Sequence, residues 1–325
     1  MGTRLLEVQN LKTYFVRKNS VVKAVDGVSF HVDENETLGL VGESGSGKTI
    51  SCLSILRLVP KPGRIISGKI LFEGQDLLAM SEEEMRKLRG GKLSMILQDP
   101  MTSLNPVFTI GDQIGEAIAT HCKVKGVALN ARVAEMLKQV RIPSPETRMS
   151  AYPHQMSGGM KQRVVGAISI SCQPRLLIAD EPTTSLDVTI QAQYLELLND
   201  IQRELGMALI FITHDFGIVA NMCDRVAVMY AGQIVESAPV RDIFYRPVHH
   251  YTASLLKSVP KLETRVDRLA SIPGQPPRLD SIPTGCRFAP RCARSDDQCT
   301  REEPPLLPLE DNHSVKCWHH VDAWL

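Results

Sequence analysis

The sequence predicts an α/β protein in which a parallel sheet is covered on both faces by helices. Three observations carry this. Apolar strand-like runs alternate with segments of helical periodicity; the run TLGLVG leads into a glycine-rich loop and then a helix; and RLLIADE and ALIFITH have the unbroken apolar character of strands buried on both faces.

In order along the chain, LLEV and AVDGVSFHV read as short strands ahead of TLGLVG, and the helix after the loop is expected to begin at Gly47 or Lys48. GKILFEGQDL reads as a strand and turn and KLSMILQ as an apolar strand. From about Thr109 to Arg141 the helical spacing of apolar residues predicts an inserted helical stretch. A helix is expected from Ser157 through GGMKQRVVGAISI, followed by the strand RLLIADE, a helix over TIQAQYLELLNDIQREL and the strand ALIFITH. Beyond about Val248 proline and cysteine become frequent and periodicity fades, so PGQPPR and EEPPLLPL read as loop or extended chain. The expected division is therefore a first domain over 1–247 and an extension over 248–325.

The 325 residues suffice for one large domain with an appendage. Lys and Arg number 37 against 36 for Asp and Glu, a balance that leaves no electrostatic footprint for general nucleic-acid binding or for adsorption to acidic lipid. No run approaches the roughly 20 apolar residues of a membrane-spanning helix, and MGTRLLEVQN has no apolar signal core, so the chain is expected in the cytoplasm. Cys52, Cys122, Cys172 and Cys223 lie singly in apolar surroundings and are expected to be buried, reduced thiols.

GESGSGKT, Gly42 to Thr49, matches the phosphate-binding loop G-x-x-x-x-G-K-[ST] between a strand and a helix. Its glycines let backbone N–H groups curl toward phosphate oxygens, and the helix N-terminus adds the positive end of its dipole. Lys48 is expected to neutralise the β and γ phosphates and Thr49 to ligate Mg²⁺. Gly42, Ser44, Gly45, Ser46, Gly47, Lys48, Thr49 and Ile50 are the candidate nucleotide contacts. RLLIADEP places Asp180 and Glu181 at a strand end, where Asp180 suits Mg²⁺ and Glu181 suits polarisation of an attacking water. Taken alone, the pair reads rather as a helix N-cap ahead of Pro182, and it is the phosphate loop that turns the reading to catalysis. An aromatic ring upstream of the loop is expected to stack on adenine, Phe15 first and Tyr14 second.

MSGGMKQR, Met156 to Arg163, is where the chain resembles the ABC-type ATPases: Ser157, Gly158 and Gly159 match their signature segment, with Met156 and Met160 departing from its commonest form. Gln98 ending the strand KLSMILQ, Asp187 in SLD and His214 ending the strand ALIFITH fall in the same family order. The resemblance implies an α/β P-loop NTPase core with a helical subdomain at about 99–157. It implies that Gln98 senses Mg²⁺ and water, that Asp187 contacts a second cassette, that His214 hydrogen-bonds the γ-phosphate and that Ser157 serves the nucleotide of a partner subunit. Lys48, Gln98, Glu181 and His214 are thus the candidate catalytic residues, and Thr49, Gln98 and Asp180 the candidate Mg²⁺ ligands.

Cys286, Cys292, Cys299 and Cys317 crowd into the tail, where a metal explains a cytosolic cluster better than disulfides; their spacing selects neither iron nor zinc and is compatible with four unrelated thiols. YRPVHHYTASLLKSVP, IPGQPP and GCRFAPRCARSDDQC resemble the C-terminal extension of the dipeptide/oligopeptide (peptide/nickel) importer ATPases. That branch implies a four-iron four-sulfur cluster, with Zn²⁺ as the alternative. It also implies ATP hydrolysis driving peptide import at the cytoplasmic face of the cell membrane. The implied partners are a homologous or identical second ATPase, two integral membrane permeases and an extracytoplasmic solute-binding protein, and no nucleic acid. A soluble ABC ATPase acting on nucleic acid or ribosomes, and an importer of nickel or another small solute, are the competing readings.

Overall fold

The computed structural model describes residues 2–184, 186–259, 271–309 and 312–320. Along the chain, β1 (Arg4–Arg17), β2 (Ser20–Asp33) and β3 (Thr37–Val41) precede α1 (Lys48–Ile55), and β4 (Gly63–Phe72), β5 (Gln75–Asp76), α2 (Glu82–Leu88) and β6 (Leu93–Ile96) follow. Four helices come next: α3 (Pro100–Ser103), α4 (Ile110–Cys122), α5 (Val127–Gln139) and α6 (Pro145–Arg148). Then come α7 (Gly158–Ile170), β7 (Leu176–Asp180), α8 (Val188–Leu205), β8 (Ala208–Thr213), α9 (Phe216–Met222), β9 (Arg225–Tyr230) and β10 (Gln233–Pro239). The chain continues through α10 (Val240–Tyr245), α11 (His250–Lys257), α12 (Asp297–Arg301), β11 (Leu307–Pro308) and β12 (Ser314–Val315).

Two compact units form. The first comprises Met1–Leu5, Val32–Glu36 and Ala79–Phe211. Here β6 runs parallel to β7, from Leu93 opposite Leu176 to Ile96 opposite Ala179, and every residue of β7 is buried, as its unbroken apolar run requires. The helical stretch expected from Thr109 to Arg141 is two helices. Thr109 and Asp112 form a capping box that starts α4, which buries Ile110, Ile114 and Ile118 on one face; Lys123 in a left-handed conformation ends it. The helix α5 buries Val133, Met136 and Leu137, and α4 packs against both α5 and α7. Asp187 caps α8, whose buried stripe is Tyr194, Leu197, Leu198 and Ile201, and Gly206 ends it in the left-handed region.

The second unit comprises Leu6–His31, Thr37–Leu78 and Ile212–Leu325. One sheet has the order β2, β1, β4, β5. The strands expected to be short in LLEV and AVDGVSFHV are 14 residues each. The two-residue turn Lys18–Asn19 joins them as a hairpin, and pairing carries the strands on past the apolar patches that mark them in the sequence. Elsewhere in this unit β3 runs parallel to β9, β9 is antiparallel to β10, and the short β12 and β11 add to the β10 edge through Glu236 opposite Val315 and Leu307 opposite Val315. PGQPPR and EEPP are irregular.

Two devices tie the tail down. Tyr230, Tyr251 and Phe288 pack with ring centroids 4.5 to 5.4 Å apart. Glu236, fully buried, accepts hydrogen bonds from Val248 N at 2.8 Å and His249 N at 3.0 Å and pairs with His313 Nε2 at 2.7 Å. Removing that carboxylate strands buried donors, each of which then bears its full desolvation cost. Glu236→Ala is expected to lower the unfolding free energy by about 3 kcal/mol, measured by urea denaturation; a loss below about 1 kcal/mol would show that the carboxylate is not the anchor.

Candidate nucleotide site and cysteine pocket

In the second unit, the loop after β3 is shaped by what it must pass. A Cβ on Gly42 would lie 2.1 Å from the Met229 carbonyl oxygen, and one on Gly47, at φ 105°, would lie 2.3 Å from that of Ala24. Glycine is therefore obligatory at both points. The Lys48 ammonium, 6% exposed, curls back and donates to the Gly42 carbonyl at 2.8 Å and the Glu43 carbonyl at 3.1 Å, closing the loop into a ring.

The helix α1 begins at Lys48 with Gly47 as its cap, no side-chain cap and no acidic residue in its first turn, so its N–H groups and dipole are left for an anion. Thr49 and Ile50 are half-buried in that turn, while Ser44 and Gly45 are exposed at the crest of the loop. Ser46 Oγ is buried and has no hydrogen-bond partner among the described residues. An ammonium, helix N–H groups and a hydroxyl converging on one concave backbone fit a polyphosphate.

Tyr14 and Phe15 are both half-buried, on opposite faces of β1. Tyr14 donates its phenol to Asp26 Oδ1 at 2.5 Å and has Lys23 Nζ 5.9 Å from its ring centroid; burial and that carboxylate push the phenol up to about 12. Phe15 lies opposite Gly63, where a Cβ would come within 2.8 Å of its ring. His214 is exposed one residue beyond β8, immediately before Asp215, which caps α9 by accepting from Gly217 N at 2.7 Å.

In the first unit Asp180, 2% exposed, ends β7, and Glu181 follows with a left-handed φ of 44°. The helix-cap reading of this pair does not hold, since a turn follows and α8 is capped by Asp187, which accepts from Ile190 N at 3.0 Å. Gln98 Nε2 donates to Glu181 Oε2 at 3.2 Å, and the Thr184 hydroxyl donates to the same oxygen at 3.1 Å. Gln98, Glu181 and Thr184 thus form one cluster around a half-buried carboxylate. Thr184 was not among the expected site residues; a hydroxyl three residues after the acid, placed to close its turn, is the signal that marks it.

Ser157 caps α7 by accepting from Met160 N at 3.3 Å, and the helix has no acidic residue in its first turn. Gly158 is exposed with open space beside its Cα, whereas a Cβ on Gly159 would lie 2.7 Å from Ile190 Cγ2. Of the SLD segment, Ser185 lies outside the described residues and Asp187 is exposed.

Cys286, Cys292, Cys299 and Cys317 line one enclosed pocket of the second unit, together with His249 and Phe288. Burial first, and then the neighbouring thiols, push Cys317 up to about 12, and burial raises Cys286, Cys292 and Cys299 as well. Four thiolates gathered at one pocket would repel one another unless a multivalent cation offset them, but the described side chains that lie within ligand distance of one another are a different set. Asp296, Cys299 and His319 converge within 4.8 Å of one another, but Asp296 already bonds His319 Nε2 at 2.7 Å and Cys299 N at 2.9 Å. Of the other cysteines, Cys52 and Cys223 are buried as expected and Cys172 is half-buried. Cys122 is exposed, against expectation, because as the last residue of α4 it lies past the face that Ile110, Ile114 and Ile118 bury.

A family model described as "ABC transporter" matches residues 25–184, and one described as "Oligopeptide/dipeptide transporter, C-terminal region" matches 235–299. The oligopeptide transport ATP-binding protein AppD of Bacillus subtilis is 50% identical, covering 97% of this chain and 96% of its own. The dipeptide transport ATP-binding protein DppD of Escherichia coli is 48% identical over 98% and 97% of the two chains. The solved dimer of the ATP-binding cassette MJ0796 with ADP and phosphate superimposes with a TM-score of 0.65 at 22% identity, covering 73% of this chain and 99% of that one, and so shares its fold.

At pH 8 in the metal-free native chain, iodoacetamide is expected to modify exposed Cys122 first and Cys317 at least about tenfold more slowly, because a raised pKa leaves Cys317 as the unreactive thiol. Cys52 and Cys223 should react only on unfolding. Mass spectrometry of the labelled peptides measures the order, and equal rates at Cys122 and Cys317 would contradict it.

Proposed function

The chain belongs to the oligopeptide/dipeptide transport ATP-binding proteins of the ABC transporter family, and from that membership we propose that it hydrolyses ATP to drive import of peptides through a membrane transporter. The observation that carries this reading is identity near 50% over almost the whole chain, tail included. The ABC ATPase cassette fold agrees with it.

Each residue then has a chemical task. Lys48, the first turn of α1 and the Ser46 hydroxyl bind the β and γ phosphates, with Gly42, Ser44, Gly45, Gly47 and Ile50 lining them. Phe15 stacks on adenine, a role supported by the commitment of Tyr14 to Asp26. Thr49, Asp180 and Gln98 would hold Mg²⁺, which supplies charge neutralisation at the phosphates. Glu181, steered by Thr184 and Gln98, takes the proton of the attacking water, and His214 donates to the developing charge on the γ-phosphate. Ser157, Gly158 and Gly159 present the N-terminus of α7 to the nucleotide of a second cassette, homologous or identical, and Asp187 contacts that cassette.

In this reading the cassette spans 1–247, its helical subdomain at about 99–157 meets two permease subunits at the cytoplasmic face of the membrane, and an extracytoplasmic binding protein delivers the cargo. No helix among the described residues is long and apolar enough to cross a membrane, which accords with membrane passage through separate subunits. The extension over 248–325 would hold a four-iron four-sulfur cluster on Cys286, Cys292, Cys299 and Cys317, with Zn²⁺ the alternative; the gathering of all four cysteines at one pocket supports a metal there. Such a clip stabilises a proline-rich segment with little core of its own.

In the assembled transporter, Glu181→Gln is expected to keep ATP affinity within about threefold and to lower hydrolysis at least about 100-fold. Thr184→Ala, which leaves the base less well oriented, should lower kcat about tenfold with KM little changed. A Glu181→Gln enzyme with the wild-type rate would refute the assignment. Protein purified without oxygen should contain iron and sulfide at about four of each per chain; zinc alone would replace the cluster by the alternative.

A further inference from the structure

Both arginines inside the segment Cys286–Cys292 reach out of the cysteine pocket and into the phosphate loop's supports. Arg291, adjacent to Cys292, has a side chain only 4% exposed and grips the Glu43 carboxylate with both terminal nitrogens, Nη1 to Oε2 at 2.7 Å and Nη2 to Oε1 at 3.0 Å. Its Nε donates to the Pro273 carbonyl at 2.9 Å, and its guanidinium lies 5.8 Å from the Tyr230 ring centroid. A buried, planar, two-pronged pair of this kind has little orientational freedom.

Glu43 is the second residue of the loop. Its backbone N–H donates to the Tyr251 hydroxyl at 3.0 Å and its carbonyl accepts from Lys48 Nζ at 3.1 Å. The carboxylate, amide and carbonyl of this one residue are therefore tied to Arg291, to Tyr251 and to the phosphate-binding lysine. Arg287, adjacent to Cys286, makes a parallel link: it pairs with Asp26 Oδ2 at 2.5 Å and donates to the Ala231 carbonyl at 2.5 Å. Asp26 in turn holds the Tyr14 hydroxyl, its N–H donates to the Gly232 carbonyl at 2.8 Å, and Gly232 N donates to the Ser46 carbonyl at 2.9 Å.

We infer that the segment Cys286–Cys292 couples occupancy of the cysteine pocket to nucleotide affinity, with Arg291 as the positioning residue that fixes the phosphate loop through Glu43. The coupling rests on the ATPase reading above. A metal or cluster held by Cys286 and Cys292 would set the backbone from which both arginines extend, and Arg291 engages both oxygens of Glu43 from that backbone. Because such coupling is reciprocal, bound nucleotide must in turn tighten metal binding by the same factor. Neither arginine touches the phosphates' own binding groups, so each acts through another residue.

The test uses the full chain, loaded with iron and sulfide or with zinc, and the same chain stripped by a chelator. A fluorescent ATP analogue reports Kd, and zinc affinity is measured by chelator competition with and without ATP. The loaded wild type is expected to bind the analogue about tenfold more tightly than the stripped form, and saturating ATP should raise zinc affinity by the same factor. Arg291→Met should hold the same metal content, melt within a few degrees of wild type, and show one Kd whether loaded or stripped; Arg291→Lys should restore only part of the difference, since an ammonium cannot engage both oxygens at once. Glu43→Gln, which leaves the arginine in place, should abolish the difference equally and serves if Arg291→Met fails to fold. Equal affinity in loaded and stripped wild type, or a chain that takes up neither metal, overturns the coupling while leaving the ATPase reading intact. Retention of the difference in both variants removes Arg291 and Glu43 from it. Absence of any ATP binding defeats both readings.

Discussion

The phosphate loop is built around the narrow passage of backbone between the Met229 and Ala24 carbonyl oxygens. Side chains at Gly42 and Gly47 would collide with those oxygens, so the loop can exist only as a glycine turn pressed against β9 and β2. Once there, it has one conformation. Gly232 N and the Ser46 carbonyl hold its far side, Lys48 closes its interior onto the Gly42 and Glu43 carbonyls, and Tyr251 and Arg291 hold Glu43. The uncapped N-terminus of α1 is then the one strongly positive backbone end presented by this ring, and phosphate chemistry follows from it.

The acid at the end of β7 illustrates a second constraint. Glu181 sits at φ 44°, a left-handed conformation that costs a residue with a Cβ about 1 kcal/mol. That cost is tolerated because the surroundings determine the turn: Asp180 is locked in a fully buried strand, and Thr184 donates to both the carbonyl and the carboxylate of Glu181. The strained backbone aims the carboxylate, while Gln98 and Thr184 fix which oxygen is engaged. A carboxylate held this accurately on a rigid strand end suits the role of general base proposed for it.

Features governed by local rules were legible in the sequence. The starts of α1, α7 and α8 follow from a glycine loop, a serine cap and an aspartate cap within a few residues of each helix, and the buried strands from unbroken apolar runs. What escaped reading depends on distance or on pairing. The full length of β1 and β2 comes from hairpin register, and β11 and β12 are two-residue strands that exist only because the β10 edge pairs with them. Glu43 occupies an unspecified position of the loop motif, and its partner Arg291 lies 248 residues away. Thr184 is similarly silent until the turn brings its hydroxyl to Glu181. The exposure of Cys122 depends on where α4 ends relative to its buried face, which an apolar neighbourhood in sequence does not specify.

Peptide uptake in cells reports whether this chain converts ATP hydrolysis into import. A strain lacking the chain, supplied with radiolabelled dipeptides and longer peptides, is predicted to lose uptake of at least one class, to regain it with the intact chain and to remain deficient with a Lys48→Ala chain. Unimpaired uptake of every peptide in the deletion strain, or full rescue by Lys48→Ala, would contradict the account.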